Sequence, residues 1–106
     1  MSVMSLYLHG RCYYLALALH DLAGCPMVAL WNPEYKRPVH TANRFGDQFV
    51  DIRGFLTRED LTYDYYTDDV SDIDADTLKA LLGKKYREDW LEIAKSSAQI
   101  LFSEYF

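Results

Sequence analysis

The sequence predicts an α+β fold in which a buried N-terminal helix packs on a small antiparallel sheet and C-terminal helices close the core. Three observations carry that prediction. Residues 12–23, CYYLALALHDLA, are apolar nearly all round until His20-Asp21, as a helix inside a core must be. Two short runs, 38–45 and 48–53, flank Gly46-Asp47 as the arms of a hairpin flank its turn. The last third of the chain carries helix-start signals followed by an amphipathic pattern. At 106 residues, half of them apolar and 15% aromatic, the chain has room for one core and reads as a single domain over 1–106.

The elements follow in order. Val3 to Leu8 is a short apolar lead, suited to a strand or a first helical turn, and Gly10-Arg11 ends it. The helix over 12–23 consists of good helix formers, Gly24 sits where a left-handed stop belongs, and Pro26 forbids continuation. Met27 to Trp31 is an apolar run just after that stop, most simply a buried strand, and Asn32-Pro33-Glu34 has turn chemistry. Gly46-Asp47 suits a type II′ hairpin turn, with glycine at the first central position.

Thr57 can then cap a helix, with Asp60 at N3 and Leu56 and Leu61 as a hydrophobic staple. The stretch 63–72, YDYYTDDVSD, has no clear period. Asp74 caps a helix through about Leu82, with Ile73 and Leu78 as its staple and Gly83 as its stop. Tyr86, Trp90, Ala94, Ala98, Leu101 and Tyr105 keep one face of a final amphipathic helix.

Composition narrows the function classes. No apolar run approaches the ~18 residues of a membrane span, and the opening residues lack the basic region of a secretory signal. Two cysteines do not make a disulfide framework, so a reduced, cytoplasmic protein with no membrane partner is expected. The net charge of −5 argues against direct nucleic-acid binding, which rests on neutralising phosphates. No metal site is expected: His9, His20, Cys12 and Cys25 lack ligand spacing. Asp72-Ile-Asp74-Ala-Asp76 starts like a calcium loop but has Thr77 and Gly83 where glycine and glutamate are required. Nor does any motif call for a cofactor.

Three residues can be brought together by geometry. Cys12 opens the first helix, where unpaired N–H groups and the macrodipole favour a thiolate and Arg11 adds positive charge. With a two-residue loop at Gly46-Asp47, cross-strand pairs sum to 93, and His40 and Asp51 become diagonal neighbours on one face, about 7–8 Å apart. A three-residue loop shifts the sum to 94 and sends Asp51 to the other face. In the first register, an acid stands where it can orient an imidazole beside a nucleophile.

A cysteine opening a buried helix, a histidine early in one strand and an aspartate in the next resemble the papain-like fold. The likeness is to its transglutaminase-like and NlpC/P60-like branches and spans about residues 8–56, through Gly10-Arg11-Cys12, Val39-His40 and Asp51-Ile52-Arg53-Gly54. The resemblance implies Cys12 as nucleophile, His40 as general base and Asp51 as its orienting acid. It also implies a protein or peptide substrate, with an amide cleaved or remade through an acyl-thioester by a peptidase, amidase, deamidase or transglutaminase. The sequence departs from the pattern at Tyr13, where many members have tryptophan, and upstream, where no Gln or Asn offers a second oxyanion donor. Each residue also has a plain structural role open to it: Cys12 as filler in an apolar helix, His40 and Asp51 as strand residues.

Charge is unevenly spread. Residues 59–76 hold eight acids and no Lys or Arg, interleaved with Tyr63, Tyr65 and Tyr66. As a solvated loop these acids would cap nearby helices. As a surface, Tyr65, Tyr66, Asp68, Asp69 and Asp72 would bind a basic protein partner, in the manner of phage-encoded inhibitors of bacterial defence systems that occupy a nucleic-acid groove. That function would need no catalysis.

Overall fold

The computed structural model describes residues 11–34 and 37–103. The apolar lead at Val3 to Leu8, Gly10 and Tyr105 lie outside the described residues. Among the described residues, four α-helices surround a five-stranded antiparallel sheet, confirming the α+β class.

Helix α1, Cys12–Ala23, is buried without interruption from Cys12 to Leu19. It lies between the sheet and the last helix, so every side of its first two turns meets apolar atoms. Burying each large side chain there contributes about 1.5–3 kcal/mol. Gly24 ends it in the left-handed region at φ 69°, and its N–H donates to the His20 carbonyl at 2.9 Å.

The strands are β1 (Met27–Trp31), β2 (His40–Phe45), β3 (Gln48–Asp51), β4 (Gly54–Leu56) and β5 (Asp69–Ile73), in spatial order β4-β3-β2-β1-β5. The hairpin register is the one that sums to 93: Asn43 faces Val50, Arg44 faces Phe49 and Phe45 faces Gln48. Of the two loop residues only Gly46 has positive φ, 63°, the pattern of a type II′ turn. Asn32 makes the expected turn, its Oδ1 accepting the Glu34 N–H at 2.9 Å.

Each face of the sheet is covered. α1 and the C-terminal helices pack on Met27, Val50 and Ile52, while Val28, Leu30, Ala42 and Phe49 form a second cluster with Leu61 of α2 (Arg58–Thr62). Coverage on both sides explains why Met27 to Leu30 are all buried and read as an unbroken apolar run. Thr57 caps α2 by accepting the Asp60 N–H, and Asp74 caps α3 (Ala75–Leu82) by accepting the Thr77 N–H at 2.7 Å.

Three sequence expectations are corrected. The second arm of the hairpin does not run to Arg53: it ends at Asp51, and a turn at Ile52-Arg53 leads into β4. The stretch without a period contains a 3₁₀ turn, Tyr63–Tyr65, and most of β5. β5 is an edge strand whose two apolar residues, Val70 and Ile73, are three apart and go to opposite faces, so no alternation is visible. Finally, α4 (Glu88–Phe102) buries Leu91, Ala94, Ala98 and Phe102, while Leu101 is 47% exposed. Trp90 is half-buried beside Tyr14, and Tyr86 precedes the helix.

Candidate active site

The site forms where the N-terminus of α1 meets the start of β2. No side chain caps α1, and its first turn holds no acid. Its hydrogen-bond ladder begins with the Tyr14 N–H donating to the Arg11 carbonyl at 3.0 Å, so the N–H groups of Cys12 and Tyr13 lie ahead of it. Tyr13 ties this end of the helix to the approach to β2, its hydroxyl donating to the Pro38 carbonyl at 2.8 Å. Burial pushes the Tyr13 phenol up to about 12, which keeps it a donor.

Cys12, His40 and Asp51 come together. The His40 Nε2 lies 2.9 Å from Asp51 Oδ2, with both side chains buried. An ionised carboxylate only accepts, so Nε2 carries the proton and Nδ1 keeps its lone pair. Among the described residues Nδ1 has no hydrogen-bond partner, and Cys12 is a neighbour that acts on the ring electrostatically. The imidazole and the carboxylate therefore pair on one face, as the hairpin register requires, with Cys12 near the ring.

The electrostatics follow from this arrangement. Burial pushes the Cys12 thiol up, but the neighbouring His40 ring and the polar groups of Thr41 outweigh it and hold the thiol below its ordinary value. For His40, burial acts downward, and Asp51 with Cys12 raises it on balance. For Asp51, burial acts upward, yet His40 and Arg53 hold the carboxyl below the usual range. The three shifts favour a thiolate–imidazolium pair backed by a carboxylate.

Two residues not expected at the triad complete it. Arg53 is set by the turn between β3 and β4: its N–H donates to Asp51 Oδ1 at 2.7 Å and its Nη2 to Oδ2 at 2.7 Å. Its position in the string Asp51-Ile52-Arg53-Gly54 was the available signal, since a turn brings residue i+2 back onto the aspartate. Tyr65, expected on a partner-binding surface, instead stacks on the His40 ring, with centroids 4.5 Å apart and planes 9° from parallel. No local pattern announces that contact, which depends on α2 folding back over the sheet.

The remaining predicted residues lie outside the triad. The Arg11 guanidinium lies 4.0 Å from the centroid of the Trp90 ring. Tyr66 is 92% exposed, in the left-handed region at φ 54°. Asp68, Asp69 and Asp72 are exposed, and Asp72 pairs with Arg44 at 3.0 Å. An open groove of about 550 Å³ reaches Cys12, walled by Tyr13, Tyr65, Tyr66 and Trp90 among others. Among the described residues no group of three His, Cys, Asp or Glu side chains is arranged to hold a metal, and no helix is long and apolar enough to cross a membrane. Comparison of the chain with family models, with curated proteins and with solved structures finds no match.

Proposed function

We propose that this protein performs thiol chemistry on an amide, with Cys12 as nucleophile, His40 as general base and acid, and Asp51 as the group that orients the imidazole. The observation that carries this reading is the hydrogen bond of a buried carboxylate to an imidazole whose other nitrogen is unpartnered, near a groove-lining thiol at an uncapped helix N-terminus. The resemblance to papain-like thiol enzymes points the same way. The thiolate sulfur adds to the amide carbonyl, and the oxyanion meets the N–H groups at the start of α1. His40 then gives its proton to the leaving amine as the C–N bond breaks, leaving an acyl-thioester for water or an amine to resolve.

Iodoacetamide labelling near pH 6 tests the proposal. Cys12 is expected to react about 10- to 100-fold faster than a free thiol, and His40→Ala to abolish the excess. A wild-type rate no faster than that of free cysteine would refute it.

A second reading is favoured by one observation: Asp68, Asp69 and Asp72 are exposed along the β5 edge next to the 92% exposed Tyr66. On this reading the protein is an acidic module that binds a basic protein partner. Binding would weaken with salt, survive Cys12→Ala and be lost when the three aspartates are neutralised together, as titration calorimetry with a candidate partner would reveal.

A further inference from the structure

From the charge that lines the groove, we infer that the substrate carries a carboxylate close to the scissile amide, captured by Arg37 and Lys85. The inference rests on the thiol reading above and adds the chemical class of what is bound. The protein carries a net charge of −5, yet among the described residues the groove that reaches Cys12 is lined by two cations, Arg37 and Lys85, and one acid, Asp64. Asp64 already lies 3.4 Å from Arg53 Nη1, so its charge is largely answered within the protein. Among the described residues neither Arg37 nor Lys85 has a carboxylate within ion-pair distance. Both are exposed.

The two cations line the groove that reaches the sulfur. Arg37 belongs to the segment before β2 and acts electrostatically on Tyr13. Lys85 belongs to the 3₁₀ turn before α4, and its carbonyl accepts the Tyr14 hydroxyl at 3.2 Å. Tyr13 and Tyr14 are successive residues on α1, about 100° apart around its axis, so the two segments that carry the cations meet different sides of the helix end that presents Cys12. The helix N-terminus adds its own positive potential to the groove. Tyr13, Tyr65 and Trp90 supply apolar walls on which the rest of a peptide can lie. Asp68 and Asp69 stand at the same end of the sheet but do not line the groove. A ligand anion entering the groove therefore meets the cations at closer range than these acids.

The test compares two alkylating reagents that differ in charge, iodoacetate and iodoacetamide, reading the rate at the Cys12 peptide by mass spectrometry. Taking the ratio of the two rates cancels the intrinsic reactivity of the thiol. The ratio of iodoacetate to iodoacetamide is expected to exceed that of free cysteine, and to fall about five-fold in the double variant Arg37→Gln, Lys85→Gln. Raising salt to molar concentration should reproduce most of that fall in the wild type. Each single variant should give part of it. A ratio equal in wild type and double variant overturns the inference even when iodoacetamide reacts rapidly. Slow iodoacetamide labelling with a charge-dependent ratio instead refutes the thiol reading and leaves anion capture standing.

Discussion

At the scale of the residue, Asp51 is the position on which most contacts converge. Its two oxygens accept from the His40 ring, from the Arg53 backbone N–H and from the Arg53 guanidinium. That set keeps the acid ionised in a site where it is 2% exposed. Replacing Asp51 with Asn keeps the shape but removes the charge that fixes the tautomer and supports the imidazolium. Asp51→Asn is therefore expected to slow pH 6 labelling of Cys12 at least 10-fold and to cost about 2–3 kcal/mol in urea unfolding, since Arg53 loses its partner. A variant that labels at the wild-type rate would show that the acid is structural only. His40 and Cys12 were legible as candidates because of where they fall, one at a strand start and one at a helix start. Arg53 and Tyr65 were not, because their roles depend on a turn geometry and on a segment returning over the sheet.

At the scale of the element, the site depends on how α1 is held against β2. The Tyr13 hydroxyl spans 25 residues to reach the Pro38 carbonyl, two positions before His40. Tyr13→Phe should cost about 1 kcal/mol and also slow Cys12 labelling, because the helix end and the strand start lose their tie. Tyr14→Phe is the control. Its hydroxyl bonds the Lys85 carbonyl and the Arg87 N–H in the turn before α4, so it should lower stability with little effect on labelling. Equal labelling rates in the Tyr13 variant and the wild type would dissociate this tie from the chemistry.

The elements with local punctuation were readable, and those without were not. Gly24, Thr57, Asp74 and Gly46 act where the sequence put them, because a cap or turn is decided by a few adjacent atoms. β5 escaped because an edge strand carrying Asp69 and Asp72 is stabilised by pairing with β1 rather than by its own propensity. The buried face of α4 was misplaced at Leu101 for a related reason: Leu101 and Phe102 are adjacent and both apolar, and only docking against α1 selects Phe102.

At the scale of the whole molecule, the coupled shifts at the site make stability depend on pH. Asp51 is held below its ordinary 3.8, so its contribution is present above about pH 4 and is lost as pH falls through the folded value. His40 is raised above 6.5, so its contribution is complete below that pH and is lost as pH rises through the folded value. Urea midpoints measured against pH should accordingly fall on the acid side more steeply for the wild type than for Asp51→Asn. Parallel acid limbs would contradict the depressed carboxyl.

The sequence by itself determined the class of the fold, the elements with local punctuation and the parity of the hairpin, since helix stops, caps and a two-residue turn are local events. That parity was enough to put an acid and an imidazole on the same face. Only the tertiary structure decided that Cys12 comes near that ring, that Arg53 and Tyr65 enclose the pair, and that an acidic chain opens a groove whose described lining includes two cations. Those facts depend on how distant segments pack, and packing energy is shared among residues that no window of sequence contains.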